Sequence, residues 1–181
     1  EMDYTNNPNL QDVCDVRQPV LFNVRDIIPG LFSDLNAQNI AKYSSHDVRL
    51  KDSRDYYSDI SNEQIPVDSI TLALHTTIHI LENDKTGCYF SEDNEDFLEE
   101  SGIGKRIQAI DDLLRPNFTV HSSYDILFGS PNTTTPLRYH TNCRQFLCVT
   151  SGKIRVKMTP WKSTKYLHPY KDYEHYEFRS L

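Results

Sequence analysis

The run Arg138-Tyr-His-Thr-Asn142, directly after Thr135-Pro-Leu137, gathers a guanidinium, an imidazole and an amide at the start of a strand-like stretch. At the mouth of a β-barrel, such a cluster is where a metal ion or a small ligand would sit. Whether it can hold a metal decides whether the chain is an enzyme. His140 offers a lone pair, whereas Arg138 stays protonated and carries donors only, so it cannot ligate. Asn142 is a weak neutral ligand that leaves a metal's charge uncompensated. A second pair, His75-Thr-Thr-Ile-His79, puts two imidazoles on one helical face, a spacing that suits metals. The hydrolytic version of that motif needs Glu after the first His, and here Thr76 stands there. No third ligand follows, so His75 and His79 read as ordinary, partly exposed helix histidines.

Other chemistries find little support. Ser151-Gly-Lys153 lacks the flanking glycines of a phosphate loop, and there is no G-x-S-x-G elbow. Trp161-Lys-Ser-Thr-Lys-Tyr-Leu-His-Pro-Tyr-Lys171 mixes basic and aromatic residues, but Asp172, Glu174 and Glu177 offset it. That segment reads as a packed aromatic loop. A net charge of -7 without a basic stripe argues against a nucleic-acid partner.

The chain's 181 residues, 38% hydrophobic and 25% charged, suffice for one domain with a proper core, or part of a larger one. No apolar run approaches membrane-spanning length and no signal-peptide pattern opens the chain, so no membrane partner is expected. Glu1 rather than Met points to an N-terminus that is processed, trimmed or not an initiation site. Cys14, Cys88, Cys143 and Cys148 form no CxxC pair and no disulfide framework. They read as reduced thiols in an intracellular, reducing compartment: cytoplasm, nucleus or virion. Cys143 and Cys148 fall on opposite faces of a strand and cannot easily chelate one ion. The sequons at Asn117 and Asn132 are expected by chance in a chain this rich in Asn, Ser and Thr.

The elements that must position the cluster follow from pattern. Residues 1–17 read as a loose or extended N-terminal arm. Gln18–Val24 is a short buried-strand pattern and 34–43 a short helix behind Asp34. His46–Lys51 alternates as a strand, and 52–66 is an irregular loop. Ile70, Leu74, Thr77, Ile78 and Leu81 share a face, which predicts a helix from Val67 to Asn83 capped by Asp68 or Ser69. Cys88-Tyr-Phe90 is a short strand. Residues 92–115 are acidic, then amphipathic, with Phe97, Leu98, Ile107, Ile110, Leu113 and Leu114 as core candidates; Arg115-Pro ends that helix. From Asp125 onward strands dominate: 126–128, 137–149 and 154–158. The order is mixed α/β feeding into β, without repeats.

Phe128-Gly-Ser-Pro-Asn-Thr-Thr-Thr-Pro-Leu137, then the polar cluster, then Phe146-Leu-Cys-Val-Thr-Ser-Gly-Lys-Ile-Arg-Val-Lys-Met-Thr-Pro160 and Tyr166-Leu-His-Pro169, resemble the cupin-like JmjC family. That family includes the asparaginyl-hydroxylase type of 2-oxoglutarate oxygenase. The resemblance covers residues 18–181, is strongest from 124 to 169, and extends to Pro19-Val-Leu-Phe22 and the strand at 46–50. It implies an α+β, mainly β fold: a double-stranded β-helix (cupin, jelly-roll) with N-terminal helices packed outside. Family members hold Fe(II) with a His-x-Asp/Glu pair and a later His, and bind 2-oxoglutarate.

This chain departs from that pattern in each register. Counting from Thr135-Pro-Leu137 places the pair on Arg138 and His140. Counting back from Gly152 gives Tyr139 and Thr141, and one further step gives His140 and Asn142. No register supplies a carboxylate. The co-substrate Lys past the turn glycine is replaced by Ile154, with Lys153 and Arg155 on the opposite strand face. The distal His would lie past Leu181, so the barrel is expected to be incomplete at the C-terminus, its open edges requiring a protein partner, self-assembly or further chain. The resemblance therefore implies a non-catalytic, pseudoenzyme-like binding or structural module without cofactor, in which Arg138, His140, Asn142 and Arg155 are polar barrel residues that contact an anion or a partner strand. The alternative is an Fe(II)/2-oxoglutarate-dependent hydroxylase that uses His140 with its other ligands beyond Leu181. Similar metal-deficient proteins occur in large DNA viruses, whose coding bias suits this composition and suggests a viral structural role.

Overall fold

A computed structural model of the chain describes residues 2–3, 7–15, 18–55, 68–139, 144–167, 169–172 and 177–180. Its centre is a four-stranded antiparallel sheet. The strand β3 (Asp47–Asp52) lies between β4 (Ser69–Ala73) and β5 (Tyr89–Ser91), and β6 (Phe128–Gly129) extends the sheet beyond β5. Val48 and Leu50 point from β3 into the core, as period-two alternation requires. Register sets Leu50 opposite Ile70 on one side and Ser91 on the other.

The core is Ile40, Val48, Leu74, Phe97, Leu98 and Ile103. Phe97 meets Tyr43 and His46 edge-on, with ring centroids 6.2 and 6.0 Å away, the T-shaped arrangement that aromatic quadrupoles favour. Phe97 and Leu98 lie on the short helix Glu95–Glu100, which begins behind Asn94 with Glu95 and Asp96 in its first turn, where acids suit the helix dipole.

Several elements differ from the sequence expectation. The predicted helix from Val67 to Asn83 is divided: residues 69–73 form β4 and the helix runs Leu74–Asn83. Ile70-Thr-Leu72 also reads as alternating, β-branched strand, and five paired positions along β3 hold it there. The helix then buries Leu74, Thr77 and Leu81 along one face. Within the expected N-terminal arm, residues Asn7–Asp15 are helical, with Pro8 in the first turn and Leu10 buried. The short helix expected at 34–43 is replaced by an α-turn at Pro29–Asp34 and a 3₁₀ turn at Ile40–Tyr43. Between them the Asn36 carboxamide accepts from the N–H groups of Gln38 and Asn39 at 3.0 and 2.8 Å, a local bond that competes with helix. The expected helix in 92–115 breaks at Gly102, whose φ of +74° ends one segment before the next, Ile103–Gln108.

The remaining strands form open sheets. Met2–Asp3 pairs in parallel with Phe22–Asn23, and β7 (Leu137–Arg138) pairs antiparallel with β9 (Glu177–Ser180), which also pairs with β8 (Tyr170–Asp172). Of the strand expected at 137–149, residues 137–138 are β7 and 140–143 lie outside the described residues; among the described residues, 144–160, including the strand expected at 154–158, belong to no sheet. The protein is thus an α+β chain with mostly antiparallel, open sheets, and no closed barrel is present among the described residues.

Candidate functional site

Alternation that turns Val48 and Leu50 inward sends Lys51 to the opposite face of the sheet. There its register partner is Phe90 on β5. Glu92 follows two residues later and returns to the same side. The Lys51 ammonium donates to Glu92 Oε1 at 3.1 Å and also to the Asp93 carboxylate. Lys51 and Glu92 are both only 5% exposed, so these charges interact out of water.

Arg138 closes this cluster. Its Nη1 donates to both oxygens of Glu92, at 2.8 and 2.9 Å, and its guanidinium carbon lies 6.0 Å from the centre of the Phe90 ring. One buried carboxylate therefore receives two cations, and Phe90 supplies an aromatic face beside them. The 138–142 run contains no carboxylate, but one stands beside Arg138 in space. It comes from Glu92, in the loop after β5, and it pairs with Lys51 and Arg138.

The loop that carries Glu92 is held firmly. Asp93 adopts φ +60°, a left-handed conformation costly for any residue with a Cβ unless its surroundings enforce it. The Asp125 carboxylate does so by accepting the N–H groups of Asp93 and Asn94, at 3.0 and 2.8 Å. Burial pushes the Asp125 carboxyl above its usual range, although three backbone N–H bonds, from Asn94, Asp93 and Ile126, pull it the other way. Asn94, itself buried, donates to Ser91 Oγ at 2.9 Å and to the Ile126 carbonyl at 2.8 Å, and accepts the N–H of Arg49 at 2.8 Å. It ties β3, β5 and the 125–126 segment together just beneath the charged cluster.

The other side of β5 is set by Asp84. Its carboxylate accepts the backbone N–H groups of Thr86, Gly87, Cys88 and Tyr89. These bonds, with the Thr86 hydroxyl foremost, hold its carboxyl well below the usual carboxylate range. Gly87 is required in this turn: at φ +68°, an added Cβ would meet the Pro131 carbonyl at 3.0 Å.

Of the residues singled out from sequence, Arg138 is at the cluster. His140 and Asn142 lie outside the described residues. Arg155 is exposed on the 144–160 stretch and takes no part in the cluster's hydrogen bonds. His75 and His79 are exposed on their helix; His75 Nδ1 bonds the Ser44 carbonyl at 3.0 Å and His79 Nδ1 pairs with Asn83 at 3.2 Å. Cys14, Cys88 and Cys148 are free thiols. Lys51, Glu92 and Asp93 were not singled out from sequence. A lysine at an outward strand position carries no sign that the outer face is covered.

Of the positions that the resemblance assigns to the metal, Arg138 is among the described residues, and its guanidinium has no lone pair to give; the Glu92 carboxylate beside it already pairs with two cations. Among the described residues, no group of three or more His, Cys, Asp or Glu side chains is arranged to hold a metal ion. Likewise, no helix among them is long and apolar enough to cross a membrane. No family model, no curated protein and no solved structure matches this chain.

Proposed function

We propose that this chain is a non-catalytic, cupin-like module, a binding or assembly unit in which an internal ion network stands where the resemblance places a metal. The observation that carries this reading is the Arg138–Glu92–Lys51 network. A metal in a two-His, one-carboxylate site is balanced by its carboxylate. Here the carboxylate already pairs with two protein cations, so it needs no ion to balance it. Arg138 then has a structural role: its guanidinium bridges β7 to the Glu92 loop of the central sheet. The mostly antiparallel sheets accord with a double-stranded β-helix whose remaining strands complete the barrel.

The test is metal analysis of the purified protein, with succinate production measured in the presence of iron and 2-oxoglutarate. The module reading expects neither stoichiometric iron nor turnover, and a loss of folded protein when Glu92 is replaced. Stoichiometric iron that disappears in His140→Ala, with turnover, would establish the hydroxylase instead.

A further inference from the structure

From Arg144 to Pro160 the chain has no regular secondary structure, and residues 145–149 and 151–160 are all exposed. Its large side chains are the wrong ones for water: Leu147, Ile154, Val156, Met158 and Trp161 are each more than half exposed. The stretch nonetheless has a fixed place. Arg144 pairs with Asp15 at 3.0 Å, and the Thr150 hydroxyl donates to the Leu35 carbonyl at 3.0 Å, just before the turn at Gly152, whose φ is +78°. Beyond the turn, Ile154, Val156 and Met158 alternate with Lys153, Arg155 and Lys157, the pattern of a strand with one apolar and one basic face. This arm is anchored and patterned for a sheet, and among the described residues no strand pairs with it.

Charge says what covers it. Residues 144–167 contain Arg144, Lys153, Arg155, Lys157, Lys162 and Lys165 and no acid, so the rest of the chain carries more than the whole net charge of -7. The complementary surface is on the same protein. Arm against arm would align like charges, whereas arm against body aligns opposite ones. A sheet edge suits it: among the described residues β4 borders the sheet, Ile70 on it is 64% exposed, and the exposed Asp68 precedes it. The register partner of Thr71 is Arg49, which pairs with Asp96 of the acidic helix Glu95–Glu100 at 2.8 Å.

We propose that the basic apolar arm 144–160 lays itself as a strand on the acidic body of a second copy of this chain, along the β4 edge, reciprocally about a twofold axis. This names the partner of the binding module proposed above and rests on that reading for its biological sense. The metal measurement and the association measurement are independent. An iron-loaded protein that still pairs through the arm would overturn the module reading and leave the interface standing; a metal-free monomer would do the reverse.

Sedimentation velocity of the purified chain over a range of concentration and salt tests the interface. The expected result is a dimer that weakens as salt rises. Ile154→Ser/Val156→Ser/Met158→Ser and, separately, Lys153→Glu/Arg155→Glu/Lys157→Glu each weaken it at least about tenfold, with unchanged circular dichroism. Mixing the charge-reversed arm variant with Asp68→Lys/Glu95→Lys/Glu99→Lys restores a heterodimer. A monomer at every concentration, association indifferent to these changes, or arm amides already protected from hydrogen exchange in a monomer would each overturn the proposal.

Discussion

The central sheet and the 144–160 arm are written in the same local code and end in opposite states. Asp47–Asp52 alternates apolar and charged residues, and so does Lys153–Met158. On β3 both faces are covered: Val48 and Leu50 by the core, Lys51 by Glu92 and Asp93. Among the described residues of the arm, 145–149 and 151–160 are exposed on both faces. Alternation therefore specifies a strand without specifying its neighbours. What separates the two regions is the supply of partners: β3 has β4 and β5 within the next forty or so residues, a short loop-closure distance, whereas the complement we propose for the arm is on another molecule.

The sharpest way to break this contrast is to take a carboxylate from the buried charges. Glu92→Ala removes one of the two carboxylates paired with the Lys51 ammonium, in a site only 5% exposed, and a two-oxygen acceptor of Arg138. The expected loss is about 3 kcal/mol of unfolding free energy by urea titration, the low end of the usual cost of breaking a buried ion pair, because Asp93 still faces Lys51. Glu92→Gln should recover part of it, because the amide oxygen still accepts from both cations without the charge. A Glu92→Ala variant as stable as the parent would mean that the cluster is solvated and the two regions do not differ in kind.

Next in size is Asn94→Ala. Asn94 is 2% exposed and its side chain bonds Arg49, Ser91 and Ile126. Its removal leaves an N–H, a hydroxyl and a carbonyl short of a partner, for a loss of roughly 2–3 kcal/mol. Hydrogen exchange at the Arg49 amide reports the event directly: it should speed up by more than global destabilisation alone accounts for.

The same contrast explains what could be read in the sequence. The strands at 47–52 and 89–91 and the core pair Phe97 and Leu98 were legible, because short-range pattern and burial agree there. The division of 67–83 into strand and helix was not: Ile70 fits both periods, aligned with Leu74 on a helix and with Leu72 on a strand, and pairing with β3 decided between them. The 144–160 strands were legible as pattern and are not in a sheet, since pattern cannot say which neighbour is present. At the candidate site, Arg138 could be singled out because its type is wrong for a metal ligand. Lys51 and Glu92 could not, because they stand 41 residues apart and meet only through the register of β3 with β5.

Acid separates two carboxylates of the body by sign. Asp84, its pKa lowered by the Thr86 hydroxyl and the turn N–H groups, contributes stability above the usual carboxylate value that is lost as pH falls through its depressed folded value. Asp125, raised by burial, behaves oppositely: its contribution is full at low pH and declines as pH rises through the raised value. Asp84→Asn should therefore be less stable than the parent at neutral pH, with the gap closing on acidification. Asp125→Asn should remove a decline that the parent shows just above the ordinary carboxylate range. Denaturant midpoints measured from pH 7 downward distinguish the two, and parallel curves for both variants would contradict the assignment.

The smallest expected effect bears most directly on the comparison. Ile154→Ser and Met158→Ser remove apolar groups that are 54% and 66% exposed, so the folded monomer loses almost no burial. Their unfolding free energy in dilute solution should stay within about 0.5 kcal/mol of the parent, as at ordinary surface positions. On β3 the equivalent change, Val48→Ser, removes a side chain that is 2% exposed and should cost roughly 2–4 kcal/mol, because a cavity and an unsatisfied hydroxyl arise together. Two β-branched residues in the same alternating pattern would then differ several-fold in cost. That ratio should shrink as protein concentration rises, since a second copy that buries Ile154 makes its loss resemble a core substitution. A ratio independent of concentration would leave the arm exposed in solution and place its cover elsewhere.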